Sequence, residues 1–498
     1  MKYVIGIDLR TSAVKTILVD QNGEIVAEQS KSYPLIQQRS GHSEQNPDDW
    51  VTQTKNALSN LGTDFQGDSN DIEGISFSGQ MHGLVLLNEK KDVLRNAILW
   101  NDTRTTPQCA MIREQFGEEL LAISKNCVLE GFTLPKILWV KEHEPEIYKQ
   151  TAVFLLPKDC VRFRMTGMIQ TDCSDAAGTL LLDVLKKEWN RVACSQFGIP
   201  TKICPPLVES HSLVGNLLPD VASGIGLSPS TKVFAGGADN ACGVIGAGIL
   251  SSTYTLSSIG TSGVILSYED NIAMDFRGKV HFFNHAKTDA FYSMGVTLAA
   301  GQSLTWFRDT FAKNESFEQL MDGIDNTPIG SDGLLFTPYL FGERTPHSDA
   351  SIRGSFIGID GAHTKMHFVR AVLEGITLSH NETIQLFRQE GKKIDTIISI
   401  GGGAKSDSWL QMQADNFNAR IVKLTSEQGP GLGAAMLAAY GVGWFTSLDD
   451  CAKSFVQFKS EFYPLKDHVG KYEQLFEIYQ MIYHNTKEIN EKLMDFRA

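Results

Sequence analysis

The sequence predicts an α/β protein built as two domains. Three observations carry that expectation. At 498 residues the chain is too long for one ordinary hydrophobic core. Apolar strand-like runs alternate with helix-like runs along most of its length, the pattern of a layered α/β architecture. A strand, a Thr-Ser tip and a second strand occur near residue 10 and again near residue 260, as if one unit opened each half.

Tyr3–Asp8 reads as a buried strand ending in an acid, and Val14–Asp20 as its partner. Gln21-Asn22-Gly23 is a hairpin turn into Glu24–Glu28. Asn46-Pro47 is a start signal for a helix over Asp48–Leu61, and Ile72–Phe77 is a further strand. The second half opens with Tyr254–Leu266, which echoes Gly6–Val14. Helical spacing then returns at Met366–Gln385. A strand over Ile394–Ile400 runs into Gly401-Gly402-Gly403, ahead of a helix at Asp407–Phe417. Leu432–Tyr440 suits a close-packed helix, and Val469–Met494 a terminal amphipathic one. No linker composition marks a boundary, so the domains are placed at 1–245 and 246–498.

An apolar fraction of 42% with 44 Gly and 16 Pro is that of a globular enzyme and not of a disordered or fibrous chain. The formal charge of −13 disfavours nonspecific nucleic-acid and anionic-membrane partners. It leaves room for a nucleotide, whose phosphates are held by local backbone N–H groups and a metal ion. The eight Cys are scattered with no C-x-x-C pair. That predicts reduced thiols, a cytoplasmic location and no structural zinc. No apolar run approaches the ~20 residues of a membrane span, and no cleavable leader precedes the first strand.

Ala235-Gly236-Gly237-Ala238-Asp239-Asn240-Ala241-Cys242-Gly243 sets an acid and an amide among small residues, which lets a substrate or backbone approach the Asp239 carboxylate closely. Such a carboxylate can serve as a general base; it can equally be a turn residue bonding its own backbone. Both Thr-Ser tips can act as anion-binding nests. Gly401-Gly402-Gly403, between a strand and a helix, lets a nucleotide lie against backbone, although a glycine triplet is more often only a tight turn. There is no P-loop and no protein-kinase motif set.

Longer stretches identify a family. Gly131-Phe132-Thr133-Leu134-Pro135-Lys136-Ile137-Leu138-Trp139-Val140-Lys141-Glu142-His143 resembles the first signature of the FGGY carbohydrate kinases, within the actin-like ATPase superfamily. Gly354–Ile359, continued by His367–Glu374, resembles the second. Ser78–Gly83, Ile98–Asp102, Leu156–Asp159, Ser174–Thr179 and Gly342–His347 resemble the branch of that family acting on D-xylulose.

The resemblance implies two actin-like (ribonuclease H-like) domains with the active site in a cleft between them. It implies ATP-dependent phosphorylation of D-xylulose to its 5-phosphate, with Mg²⁺. Asp239 takes the position of the catalytic base. Asn240, Met81 and His82 take those of sugar contacts, and a structural core histidine is the other reading of His82. Asp8 matches the first-strand carboxylate that holds Mg²⁺. Thr11, Ser12 and Lys15 match the first phosphate hairpin, and Gly260 and Thr261 the second. Gly301, Thr305, Gly402, Gly403 and Asp407 fall where related kinases contact the nucleotide, Asp407 standing where the family often has Asn. The expected partners are the sugar and ATP, and a homodimer is compatible with the sequence. Other readings are a kinase of the same family for glycerol, gluconate, ribulose or fuculose, an actin-like ATPase without sugar kinase activity, or a non-catalytic sugar sensor. Glycerol is disfavoured, because glycerol kinases carry an Arg-Glu pair where Met81-His82 stand.

One residue departs from the family pattern. Arg10 occupies the place of a hairpin glycine. It either strains the turn or adds a cation near the phosphates. Strain is the favoured expectation, because Lys15 and Mg²⁺ already supply positive charge there.

Overall fold

A computed structural model describes residues 1–270, 274, 276–426 and 428–497. The chain forms two compact units. The first holds residues 1–250, 269–292 and 428–457; the second holds 251–268, 293–427 and 458–498. The main division falls after Leu250, but a single cut at 245/246 does not describe the units, because two later segments pack with the first.

The reason for the larger of these is visible in the helix Gly429–Val442. Leu432, Ala434, Ala435, Met436, Leu437, Ala438 and Ala439 are all buried, and a helix apolar all round must be enclosed. Its small residues allow close backbone approach. A Cβ on Gly246 or Gly6 would collide with the carbonyl oxygens of Gly429 and Gly431 respectively.

In the first unit β1 (Tyr3–Leu9) pairs antiparallel with β2 (Ala13–Asp20), which pairs with β3 (Ile25–Ser32). Asp20 Oδ1 accepts from the N–H groups of Asn22 (2.8 Å) and Glu24 (3.0 Å), and Gly23 takes φ +86°, closing the predicted hairpin. The helix α1 (Pro47–Asp64) starts at Asn46, whose side chain caps Asp48 N, with Pro at its first position. It buries Trp50, Leu58 and Leu61 in the unit's core with Ile5, Ile7, Leu18 and Phe77. On its other edge β1 runs parallel to β4 (Ile72–Gly79). Beyond lies β6 (Lys232–Phe234), parallel to β4, and then antiparallel β5 (Leu213–Asn216). The short β7 (Gly237–Ala238) also pairs with the end of β4.

The second unit repeats this order. Its β8 (Thr255–Ile259) is antiparallel to β9 (Gly263–Glu269) and parallel to β10 (Thr396–Gly401). Next come parallel β11 (Arg420–Leu424) and antiparallel β12 (Phe458–Phe462). The core joins Ile259, Leu304, Phe336, Val372, Ile376 and Trp409, with the 25-residue helix Lys365–Gln389 contributing a buried face. Among the described residues no helix is long and apolar enough to cross a membrane.

Candidate functional site

In the first unit β7 delivers Asp239 to the first turn of the helix Asp239–Gly246. Ala238, the residue before it, is level with Gly79 at the end of β4. The backbone N–H and side-chain amide of Asn240 both donate to Asp239 Oδ1, at 2.7 and 3.1 Å. Burial, with the charge of Asp8 adding to it, pushes the Asp239 carboxyl up to about 7. A carboxylate so tuned is suited to general-base work near neutral pH.

Met81 and His82 follow β4 directly. Asn240 Nδ2 lies 3.8 Å from Met81 Sδ. His82 has φ +69°, a left-handed conformation uncommon for residues with side chains. Its carbonyl accepts from Thr133 Oγ1 (3.0 Å) and from the fully buried Lys136 Nζ (2.9 Å). Burial lowers the Lys136 ammonium to about 7. The His82 ring packs edge-on against Phe132, and Nδ1 is 2.7 Å from Gly178 O. Gly178 O can only accept, so Nδ1 is the donor in this contact. A Cβ at Gly178 would stand 2.6 Å from Nδ1.

Asp8, 1% exposed, is the last but one residue of β1. Arg10 Nε donates to its Oδ2 at 2.6 Å, while Oδ1 is buried with no hydrogen-bond partner among the described residues. Arg10 is absent from the left-handed residues. Its N–H closes the turn on Ala13 O at 3.0 Å, and its carbonyl accepts from the Tyr33 hydroxyl. The expected strain is therefore corrected: the turn accommodates a side chain, and the guanidinium turns back onto Asp8. Thr11 Oγ1 accepts from Trp100 Nε1 at 3.0 Å, and Thr11 O accepts from Gln45 Nε2 at 2.6 Å. Ser12 O accepts from Tyr33 N. Lys15, opposite Asp8 in the ladder, is engaged by Gln428 Oε1 (2.7 Å) and Glu28 (2.9 Å).

The second unit holds a cavity of about 830 Å³, within the size range of small-ligand sites. Gly260, Thr261, Gly301, Thr305, Gly402 and Gly403 all line it. Gly301 N donates to Gly260 O at 2.8 Å, and a Cβ on Gly301 would lie 2.5 Å from that oxygen. Gly401, at φ +82°, turns the chain out of β10 as only glycine does readily. Asp407 departs from expectation. It is exposed, does not line the cavity and pairs with Lys423 Nζ at 3.0 Å. Lys405 and Ser406 line the wall instead.

Comparison with known proteins decides the lineage. The N-terminal domain of the FGGY family of carbohydrate kinases matches residues 3–246, and the C-terminal domain of that family matches residues 255–442. The chain belongs to the FGGY family of carbohydrate kinases. The xylulose kinase of Bacillus subtilis (strain 168) is 66% identical over 497 residues, covering 100% of both chains. A ligand-bound xylulose kinase from Lactobacillus acidophilus has TM-score 0.94 at 29% identity, covering 99% of this chain and 100% of the other. A gluconate kinase from the same species also has TM-score 0.94 at 29% identity, covering 99% of each chain.

Several residues of this FGGY chain were not assigned from sequence. Ser316, Phe317, Glu318 and Met321 also line the cavity. Their only local sign is the capping box Ser316–Gln319, which marks a helix start and no ligand. Lys136 and Gly178 lie inside quoted motifs, but their contacts with His82 span 54 and 96 residues of sequence.

Proposed function

We propose that the chain transfers the γ-phosphoryl group of ATP to the terminal hydroxyl of D-xylulose, giving the 5-phosphate and ADP. The observation that carries the reading is the Asp239 carboxylate, raised to about 7 and presented beside Asn240, Met81 and His82, in a chain 66% identical throughout to a xylulose kinase. The Asp239 carboxylate accepts the hydroxyl proton as the oxygen attacks phosphorus in line. The new bond is O–P and the bond to ADP oxygen breaks. Asn240 and the His82 ring hydrogen-bond sugar hydroxyls, and Met81 supplies an apolar contact. In the second unit the cavity takes the nucleotide, with Gly260, Thr261 and Gly301 offering backbone to the phosphates and Gly402–Gly403 a flat bed for the adenosine.

Mg²⁺ fits the first unit. The orphaned buried Oδ1 of Asp8 is a hard oxygen ligand, and no group of three or more His, Cys, Asp or Glu among the described residues forms a metal cage. An ion held by one carboxylate with phosphate oxygens and water matches magnesium's usual demand. When bound, it neutralises charge on the transferring phosphoryl oxygens. The use of ATP and the free thiols agree with a cytoplasmic enzyme.

A second reading is a gluconate kinase, favoured by the neighbour of that name at the same TM-score. The two separate in a coupled ADP-release assay with D-xylulose, D-ribulose, L-fuculose, glycerol and gluconate. D-Xylulose is expected to give the highest kcat/KM; a higher value for gluconate would replace the reading, and sugar-independent ATP turnover would overturn both.

A further inference from the structure

Next to the Asp239 segment lies a group of buried charges that phosphoryl transfer does not itself require. Lys158 Nζ is 2.8 Å from Asp159 Oδ1, 2.8 Å from Asp172 Oδ1 and 3.1 Å from Asp175 Oδ2. Arg162 Nη1 is 2.9 Å from Asp159 Oδ1, and all five side chains are fully buried. Burial and the neighbouring Asp159 and Asp172 push the Asp175 carboxyl well above the usual range; taking the remaining charges out of water is still costly, and replacing buried ion pairs with apolar side chains is often neutral or stabilising. Stability alone is a poor reason for such a group, so its outward contacts matter.

Arg162 Nη2 also bonds Gln170 O, but two other contacts lead to the segment that ends at Asp239. Arg162 Nη1 also donates to Ala235 O at 2.6 Å. Ser174 N and Ser210 Oγ donate to Asp172 Oδ2 at 2.9 and 2.8 Å. Ser174 Oγ donates to the same oxygen at 2.5 Å and accepts from Ala238 N at 3.0 Å. A serine hydroxyl has one proton. Committing it to the charged Asp172 aims a lone pair at the Ala238 N–H, and the charge-assisted bond holds it there. Ala238 is the residue before Asp239, and both of the latter's side-chain bonds come from Asn240, its other neighbour.

We infer that Ser174, backed by Asp172 and the Lys158–Arg162 charge group, is a positioning residue that sets the direction in which Asp239 leaves β7. The inference rests on Asp239 being the base. A displacement of the base by about 1 Å is enough to cost on the order of a hundredfold in rate. Ser174 touches neither sugar nor nucleotide in this scheme, so its loss is felt in kcat.

The test compares Ser174→Ala with Ser210→Ala. Each loses one hydroxyl bond to Asp172, but the Ser210 hydroxyl has no bond to the Asp239 segment. Ser174→Ala is expected to lower kcat for D-xylulose tenfold or more, with sugar KM and nucleotide Kd within threefold of the parent. Ser210→Ala is expected to keep kcat within twofold. If Ser174→Ala fails to fold, Ser174→Cys, of similar size but a weak hydrogen-bond partner, takes its place with a loss in the same direction. A kcat within threefold of the parent in the Ser174 variant, or equal losses in both variants, overturns the inference. Asp239→Asn separates the two levels. If it retains kcat, the base assignment fails and the inference with it; if it abolishes turnover while the Ser174 variant keeps kcat within threefold of the parent, only the positioning role fails.

Discussion

Asp8-Leu9-Arg10-Thr11-Ser12 in the first unit corresponds to Ser258-Ile259-Gly260-Thr261-Ser262 in the second. Both stretches leave the strand that is antiparallel to one neighbour and parallel to the next. The second turn is one residue tighter. Ile259 pairs with Gly263, whereas Leu9 pairs with Val14. The first hairpin carries an acid and an arginine that grip each other at 2.6 Å. The second carries a serine and a glycine whose carbonyl receives Gly301 N. One sheet plan thus presents charged side chains in one unit and bare backbone in the other. Changes in the first are expected to act on catalysis and the sugar, and changes in the second on the nucleotide.

The largest effect is expected at Asp239. Asp239→Asn should lower kcat by about 10²-fold or more and leave nucleotide Kd within twofold by calorimetry. A folded variant within threefold of parental kcat would detach catalysis from the first unit.

Gly301→Ala is the matching change in the second. Its Cβ, 2.5 Å from Gly260 O, forces the backbone apart, and overpacking of this kind costs about 1–3 kcal/mol. Nucleotide KM should rise about tenfold with sugar KM unchanged; the reverse pattern in initial-rate kinetics would break the division of labour.

Lys136→Met removes a charge-assisted bond to the His82 carbonyl, worth about 1.5–3 kcal/mol. Sugar KM should rise by about tenfold while nucleotide KM stays put. The parental pH profile sharpens this. Asp239, at about 7, must be deprotonated to act, so kcat/KM should fall about tenfold per unit as pH drops below 7. Lys136, also near 7, holds His82 best when protonated, so sugar KM should climb above pH 7. Only that second trend should vanish in Lys136→Met.

The smallest effect is expected at Arg10. Its side chain is half-exposed, where ion pairs are worth little, and its backbone stores no left-handed strain. Arg10→Gly should leave the melting temperature unraised and shift half-saturation by Mg²⁺ downward by about two- to fivefold, as Asp8 loses a competitor. A clear gain in melting temperature would restore the strain reading.

What could be read from the sequence alone was whatever depends on near neighbours in the chain. The two hairpins, the Asn46-Pro47 helix start, the helix Asp407–Phe417 and the acid-amide pair Asp239–Asn240 arise from local periodicity, capping and turn chemistry. The family signatures extended that to a carbohydrate kinase, because long motifs preserve order even when contacts are unseen. Only the tertiary structure could decide matters joining residues far apart in sequence. It moved the helix Gly429–Val442 into the first unit, because an all-round apolar helix goes wherever a close-packed slot exists. It paired Asp407 with Lys423, off the cavity lining, and folded the Arg10 side chain back onto Asp8, a turn geometry that two residues of spacing leave open. It gathered Lys158, Arg162, Asp159, Asp172 and Asp175 beside the Asp239 segment. A buried charge is tolerable only with its partners in place; one helix sets Lys158, Asp159 and Arg162 together by local spacing, but only chain folding brings Asp172 and Asp175 onto Lys158 and the group to the Asp239 segment.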